Sequence, residues 1–291
     1  MPAEPADEKH EDKLKDHEIE TIEDHAPIRA VAIFEAIRRE GKLELERPVS
    51  ALTMSGLVAG MALGLSVLVE ASFRRHLPDA DWRPLVESLG YTVGFLVVIL
   101  SQMQLFTENT IKAVCPVLDE ISGMMIARLL RLWFLVLGAN IAGAAAFGLV
   151  LYWTRDYQPA VWHAMRELSL EALGYGWTET LLRGVGAGWL IAALVWMMPN
   201  AGDAKAYVII LMTYLVALAD FAHVVAGTTE ATLLVMAGDR TIAAAAGGFV
   251  LPAVIGNVLG GTVFFTVLTW VQIRTELEGR DEPPIDALRK G

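Results

Sequence analysis

The feature that most constrains this chain is a series of apolar runs, each long enough to cross a lipid bilayer. They begin near Thr53, Tyr91, Ile126, Gly184, Ala206 and Gly247. Crossing the hydrocarbon core takes ~20 residues, so six such runs fill roughly 40% of the chain. The mean hydropathy is +0.45 although 20% of residues are charged, so apolar and charged residues must be segregated along the sequence. This pattern predicts an all-α membrane protein with six transmembrane helices.

The charged residues concentrate at the two ends of the chain. Residues 1–26 are polar and almost free of aromatics, which predicts a disordered acidic tail. Because this tail has no apolar core, we expect no secretory signal peptide and a cytoplasmic location for the tail. A transmembrane pore domain is expected over residues 49–275, and a second cytoplasmic tail over residues 276–291.

Residues 27–48, between the first tail and the first span, have a helical pattern. Apolar Ile33 and Ile37 lie one turn apart, and Arg38 and Arg39 belong to the opposite face. The pattern predicts an amphipathic helix at the membrane interface. Lys and Arg near the span ends moderately favour an orientation with both termini in the cytoplasm.

Several classes of function are excluded by what the sequence lacks. A single cysteine, Cys115, permits neither a disulfide framework nor a zinc site with several cysteines. The spacing of His10, His17 and His25 matches no defined metal site, and a net charge of −11 argues against nucleic-acid binding. There is no nucleophile elbow or phosphate loop. We therefore expect neither an enzyme, nor a cofactor, nor a metal.

The first three spans resemble the last three. Spans one and four carry glycines at every fourth position: Gly56, Gly60 and Gly64 in one, Gly184 and Gly188 in the other. Span three contains Asn140-Ile-Ala-Gly143, and span six contains Asn257-Val-Leu-Gly260. Since each half has an odd number of spans, the second half must be inserted upside down. This is the inverted-repeat plan of channels and secondary transporters.

The middle span of each half loses its apolar character partway along. Span two, expected over about Leu89 to Phe106, is interrupted by Ser101-Gln102-Met103-Gln104, and span five meets Asp220-Phe221-Ala222-His223. Irregular backbone at membrane depth is tolerated only inside protein or along a wet cavity. The two breaks therefore predict a pore site near the bilayer midplane.

Four further charged residues lie just after the interruptions or near the span ends. Glu108 and Glu230 each follow an interruption, and either cap a half-helix or line an entry. Glu70 and Arg183, near span ends, are expected at the membrane interface. The polar stretch from Thr154 to Thr180 is expected to be a long external loop.

Three motifs in order resemble the formate/nitrite transporter family. They are Leu105-Phe106-Thr107 in span two, Phe221-x-His223 in span five and Ile255-Gly256-Asn257-Val258-Leu259-Gly260-Gly261 in span six. The resemblance covers about Ala36 to Ile273, and the extension Glu108-Asn109-Thr110 is most similar to the YfdC-type branch.

The resemblance implies an aquaporin-like fold of six spans and a homopentamer in a bacterial inner membrane. Each protomer would then have its own pore for small monovalent anions such as formate or nitrite. By position, Leu105 and Phe106 would form one hydrophobic slit, and Tyr91 and Phe95 the other. Thr107 and His223 would meet between the slits.

The sequence departs from the family pattern around this implied pore. Gly188 and Gly227 replace asparagines that relatives usually carry, and a lysine common ahead of span four has no counterpart. Asp220, three residues before His223, is a possible partner of the histidine. The unperturbed pKa of histidine, about 6.5, allows either proton transfer to a weak-acid anion or hydrogen-bond donation to it.

Two other functions remain open at this stage. The missing lysine and the two glycines also suit a pore for small neutral solutes or weak acids. A membrane protein that does not conduct, acting through its acidic tail as a scaffold or envelope-stress factor, is the alternative from a different class.

Overall fold

The computed structural model describes residues 29–281, with side chains to residue 275. The tail predicted over residues 1–26 lies outside the described residues, as do residues 282–291 of the second tail. Helices make up most of the described chain. They are α1 (Ala30–Glu46), α2 (Val49–His76), α3 (Arg83–Leu100), α4 (Cys115–Asp119), α5 (Gly123–Trp153), α6 (Pro159–Ala172), α7 (Trp177–Met197), α8 (Lys205–Leu218), α9 (Val224–Ala237) and α10 (Ile242–Thr275, continued as helix to Asp281).

Five helices in the described range are long and apolar enough to cross a membrane: α2, α3, α5, α7 and α10. Helices α8 and α9 have 14 residues each, so each is ~21 Å long and too short to span ~30 Å alone. The predicted all-α membrane fold with interrupted second and fifth spans is confirmed. The count of six spans stays a prediction, because the fifth consists of two half-helices.

The two interruptions share one backbone geometry. Helix α3 ends at Leu100 and α8 at Leu218. Two residues after each end, Gln102 and Asp220 adopt left-handed φ values of 54° and 51°. Glycine is the usual residue in this conformation, and side chains reach it at a cost. Both breaks are therefore specific turns and not frayed helix ends.

A pair of backbone hydrogen bonds closes each of these turns. The N–H of Met103 donates to the carbonyl of Val98 at 3.0 Å, and the N–H of Phe221 donates to that of Val216 at 2.9 Å. Inside each of these bonds lies a second one, from the N–H of Gln102 to the carbonyl of Ile99 at 3.2 Å and from the N–H of Asp220 to that of Ala217 at 2.9 Å. Each pair of bonds forms a Schellman motif. The predicted relationship between the two halves thus extends to individual hydrogen bonds.

Asn140 on α5 holds the first interruption in place. Its Oδ1 accepts from the N–H of Phe106 at 2.8 Å. Its Nδ2 donates to the carbonyls of Gly56 and Gln104 at 2.7 and 2.9 Å. A fully buried amide thereby satisfies backbone groups of the interrupted segment and of α2.

Asn257 on α10 holds the second interruption in the same way. Its Oδ1 accepts from the N–H of Val224 at 3.0 Å, and its Nδ2 donates to the carbonyls of Gly184 and Ala222 at 2.9 and 2.8 Å. The asparagines occupy corresponding positions in the two halves and bind corresponding partners. The internal resemblance seen in the sequence is thus matched in three dimensions.

The polar stretch after α5 differs from the expected loop, because much of it forms helix α6. Val161, Met165 and Leu168 recur at helical spacing and are buried against α2 and α9. Arg166, on the other face, pairs with Asp239 just after α9. This hydrogen-bonded guanidinium holds the pKa of Asp239 below its ordinary value. The charged residues of this segment keep it from crossing the membrane, but they lie on one face of α6, so the segment forms an amphipathic helix that packs over the bundle.

Candidate functional site

Two cavities lie at opposite ends of α3 and α8. The first, here called the histidine cavity, has a volume of about 70 Å³; its lining includes Tyr91, Val216, Ala217 and His223. The second, the lysine cavity, has a volume of about 390 Å³ and is lined in part by Leu100, Lys112 and Lys205. Residues 205 and 217 are ~18 Å apart along α8. The cavities therefore open towards different faces of the bundle.

A buried layer separates the two cavities. It consists of five side chains from the two interruptions and from α3, none more than 2% exposed: Phe95, Leu105, Phe106, Thr107 and His223. The layer combines three large apolar groups with one hydroxyl and one imidazole. It is a low-dielectric barrier with a single polar contact in it.

That polar contact joins the two halves of the protein. Nε2 of His223 lies 2.9 Å from Oγ1 of Thr107. The imidazole edge packs against the Phe95 ring, with centroids 4.9 Å apart and planes at 76°. The structure therefore brings His223 and Thr107 into direct contact.

The second ring nitrogen of His223 caps helix α9. Nδ1 accepts from the N–H of Ala226 at 3.4 Å, which requires a free lone pair on Nδ1. In the neutral ring the proton is then on Nε2, which donates to the Thr107 hydroxyl oxygen. The Thr107 hydroxyl hydrogen is left over for another acceptor. The site therefore presents hydrogen-bond donors to whatever enters the layer.

Of the four residues assigned to the two slits, Phe95, Leu105 and Phe106 belong to the layer, and Tyr91 lies beside it. Tyr91 contacts Phe95 at a centroid distance of 5.4 Å and lines the histidine cavity. Leu105 lines a small cleft beside Lys112. Phe106 packs against Trp133 of α5, with centroids 6.0 Å apart. All of these side chains are nearly inaccessible, although Phe106 contacts a neighbouring helix as well as the layer.

Asp220 does not meet His223 in the expected way. Their shared helical face does not exist, because α8 ends at Leu218 and Asp220 has φ 51°. The Asp220 side chain is 66% exposed and lies 3.8 Å from Arg183, and no hydrogen bond joins it to His223 among the described residues. Asp220 lines the histidine cavity as one half of an ion pair at its edge.

Gly188 and Gly227 have no room for a side chain. A Cβ on Gly188 would lie 2.2 Å from the carbonyl oxygen of Asn257, and a Cβ on Gly227 would lie 2.1 Å from the Phe249 ring. Phe249 itself lines the histidine cavity. An apolar ring here fills the space that a polar side chain at position 227 would need.

The lysine cavity contains a charged group that the sequence analysis missed. Nζ of Lys112 bonds Glu40 of α1 at 2.7 Å and Glu108 at 2.9 Å. Lys112 follows the Leu105-Phe106-Thr107 motif along the chain, but its pairing with Glu40 depends on where α1 packs. Glu108, one of the two carboxyls that follow interruptions, thus lines the lysine cavity.

Glu230 and Glu70 line the histidine cavity and are each 8% exposed. For Glu230 this matches the entry-lining alternative. Glu70, near the end of α2, is thus buried within the protein, and its interfacial position stays a prediction. The position of a residue near a span end does not show whether other helices bury its side chain.

Comparison with known proteins identifies relatives over most of the chain. A family model described as "Formate/nitrite transporter" matches residues 31–271. The "Inner membrane protein YfdC" of Escherichia coli (strain K12) is 39% identical over 274 residues, which cover 93% of this chain and 87% of that protein. Family match and identity both exceed what a shared membrane composition produces.

Solved structures share the fold. An "FNT family ion channel" aligns with a TM-score of 0.68 and 23% identity over 84% of this chain and 98% of that one. A "Pentameric formate channel with formate bound" aligns with a TM-score of 0.65 and 18% identity over 77% and 96%. Together with the clamped interruptions and the buried histidine between two cavities, these matches lead to one conclusion: this chain belongs to the formate/nitrite transporter family of multi-pass membrane proteins.

Proposed function

We propose that this chain is a pore for small monovalent weak-acid anions such as formate or nitrite. The substrate passes between the histidine cavity and the lysine cavity through the buried layer. Five copies assemble in a bacterial inner membrane, each with its own pore and with both termini in the cytoplasm. Helix α1 lies at the membrane interface, and the residues before it form a cytoplasmic tail. The six-span pore domain occupies residues 49–275.

Family membership and fold support this proposal in outline. The family is described by its formate and nitrite transport, and a structural neighbour is a pentameric channel with formate bound. The two cavities at opposite ends of α3 and α8 provide entrances, and the layer between them is only a few side chains thick.

The single observation that carries the proposal is the contact between His223 and Thr107 in that layer. A bare anion among apolar side chains is unfavourable by several kcal/mol. Nε2–H of His223 and the Thr107 hydroxyl are the polar groups of the layer, 2.9 Å apart. A substrate oxygen inserted between them accepts two hydrogen bonds where the surroundings are driest.

The cap on α9 favours hydrogen-bond donation by His223 over proton transfer from it. A doubly protonated ring has no lone pair on Nδ1, so it would lose the bond from the Ala226 N–H. Losing an N-cap costs about 1 kcal/mol, and the first turn of α9 is buried. His223 therefore works as a neutral donor whose tautomer the cap selects.

The test is formate and nitrite flux into proteoliposomes containing wild type or His223→Ala. A hydrogen bond to a charged group is worth ~1.5–3 kcal/mol, so we expect flux to fall about 10- to 150-fold. His163→Ala, an exposed histidine on α6, is the matched control and should keep wild-type flux. Native mass measurements check that each variant has the same subunit number.

Wild-type flux in His223→Ala would refute the proposed site. Absence of anion flux in wild type would refute the proposed function itself.

A further inference from the structure

The histidine cavity is acidic for a pore that carries anions. Four carboxyl groups line it, and no lysine or arginine does: the four are Glu70, Glu171, Asp220 and Glu230. Neighbouring arginines neutralise two of them. Arg74 bonds Glu171 at 3.0 Å, and Arg183 lies 3.8 Å from Asp220. The remaining two carboxyls need a different explanation.

Glu70 and Glu230 are both buried and unpaired. Each residue is 8% exposed, and among residues 29–275 neither makes a hydrogen bond or an ion pair. The nearest cation to Glu70, Arg74, is already engaged by Glu87 at 2.7 Å. A buried carboxylate without a counter-ion is costly, whereas a protonated carboxyl needs none.

The surroundings of this pair contain more acidic than basic groups. The charged and titratable groups that face it are Arg74 on α2, Glu87 and Tyr91 on α3, Glu171 on α6, and Asp220 and His223 around the second interruption. Arg74 is shared between two of these carboxylates. No three His, Cys, Asp or Glu side chains in the described part of the chain are placed to hold a metal ion.

We propose that Glu70 and Glu230 form a proton-holding site that protonates a weak-acid anion before it enters the layer at His223. The O–H bond of the carboxyl breaks as an O–H bond forms on the substrate. The neutral acid then crosses the layer, and the carboxylate left behind takes a proton from water at the cavity mouth. One proton and one anion cross together, so transport is electroneutral.

This inference rests on the proposed function and completes it. The capped, neutral His223 orients the acid by hydrogen bonding but does not supply the proton. The carboxyl pair takes that role, in a cavity lined by no lysine or arginine. The cavity therefore selects weak acids, and anions of strong acids should be excluded.

The first test measures the proton directly, without transport. Infrared spectra of wild type in substrate-free liposomes at pH 7 should contain the C=O stretch of protonated carboxylic acid. Part of that band should disappear in Glu70→Gln and part in Glu230→Gln, since glutamine has nearly the shape of the protonated glutamate. Glu167→Gln, an exposed carboxylate on α6, should leave the band unchanged.

The second test measures formate uptake as the outside is acidified. Wild type should take up one proton per formate and be insensitive to membrane potential. In the double variant Glu70→Gln/Glu230→Gln, the rate of acid-stimulated uptake should be about tenfold lower than in wild type, equivalent to ~1.4 kcal/mol.

Each remaining outcome is decisive. A wild-type spectrum without the protonated band overturns the proton site. So does a carboxylate band that shifts when ammonium or potassium is added, because the carboxylates would then bind a cation and not a proton. Unchanged pH dependence in the double variant overturns the transfer step. If wild type shows the protonated band but carries no anion, the proton site stands and the proposed function fails.

Discussion

Replacing Asn140 with alanine should destabilise the protein strongly, because one side chain satisfies three backbone groups. The substitution leaves the N–H of Phe106 and the carbonyls of Gly56 and Gln104 without their partner. Hydrogen bonds between membrane helices are worth ~0.6 kcal/mol on average and up to ~1.7 kcal/mol. Three of them give an expected loss of about 2–5 kcal/mol.

The loss is measurable as the change in unfolding free energy when detergent-solubilised protein is titrated with sodium dodecyl sulfate. Asn257→Ala should cost a similar amount, since Asn257 makes the same three kinds of bond in the other half. Val263→Ala, on the exposed surface of α10, is the control and should cost less than ~1 kcal/mol. If Asn140→Ala is no more destabilising than this control, the clamps do not hold the interruptions.

Three more predictions concern the surroundings of the pore. Gly227→Ala should lower the melting temperature, because its Cβ would lie 2.1 Å from the Phe249 ring and overpacking costs ~1–3 kcal/mol; adding Phe249→Leu should restore part of the loss. Lys112→Met leaves two carboxylates without their shared cation, so we expect the unfolding free energy in the sodium dodecyl sulfate titration to fall by roughly 3 kcal/mol. An unchanged unfolding free energy would contradict the ion-pair assignment. Arg166→Ala removes the partner that depresses the pKa of Asp239. That contribution exists above the ordinary pKa of aspartate and disappears as pH falls through the depressed value, so the melting temperatures of variant and wild type should differ at pH 7 and converge in acid.

The global fold could be predicted from the sequence because its signals are local. Apolar runs locate the long helices, and the breaks in the second and fifth spans appear as polar residues in otherwise apolar segments. The asparagines and glycines at matching offsets indicate the repeat. These residues make backbone contacts that only their own types allow, so residue identity and geometry are closely coupled.

The details of the site could not be predicted in the same way. The direction of the Asp220 side chain depends on a left-handed backbone conformation, which the residue type at this position does not indicate. The burial of Glu70 depends on α6 packing over α2, and the charges of α6 conceal its buried face. Lys112 acquires its role from Glu40 on a helix distant in sequence. Each of these properties is set by tertiary packing between segments.

In the proposed function, substrate crosses from one cavity to the other through the layer at His223 and Thr107. The most direct test of this route uses Cys115→Ala protein with a single cysteine at Ala172, which lines the histidine cavity, or at Leu100, which lines the lysine cavity. An impermeant thiol reagent should block formate flux when applied to one face for Ala172→Cys and to the opposite face for Leu100→Cys. Undiminished flux after complete modification at either position would contradict the route.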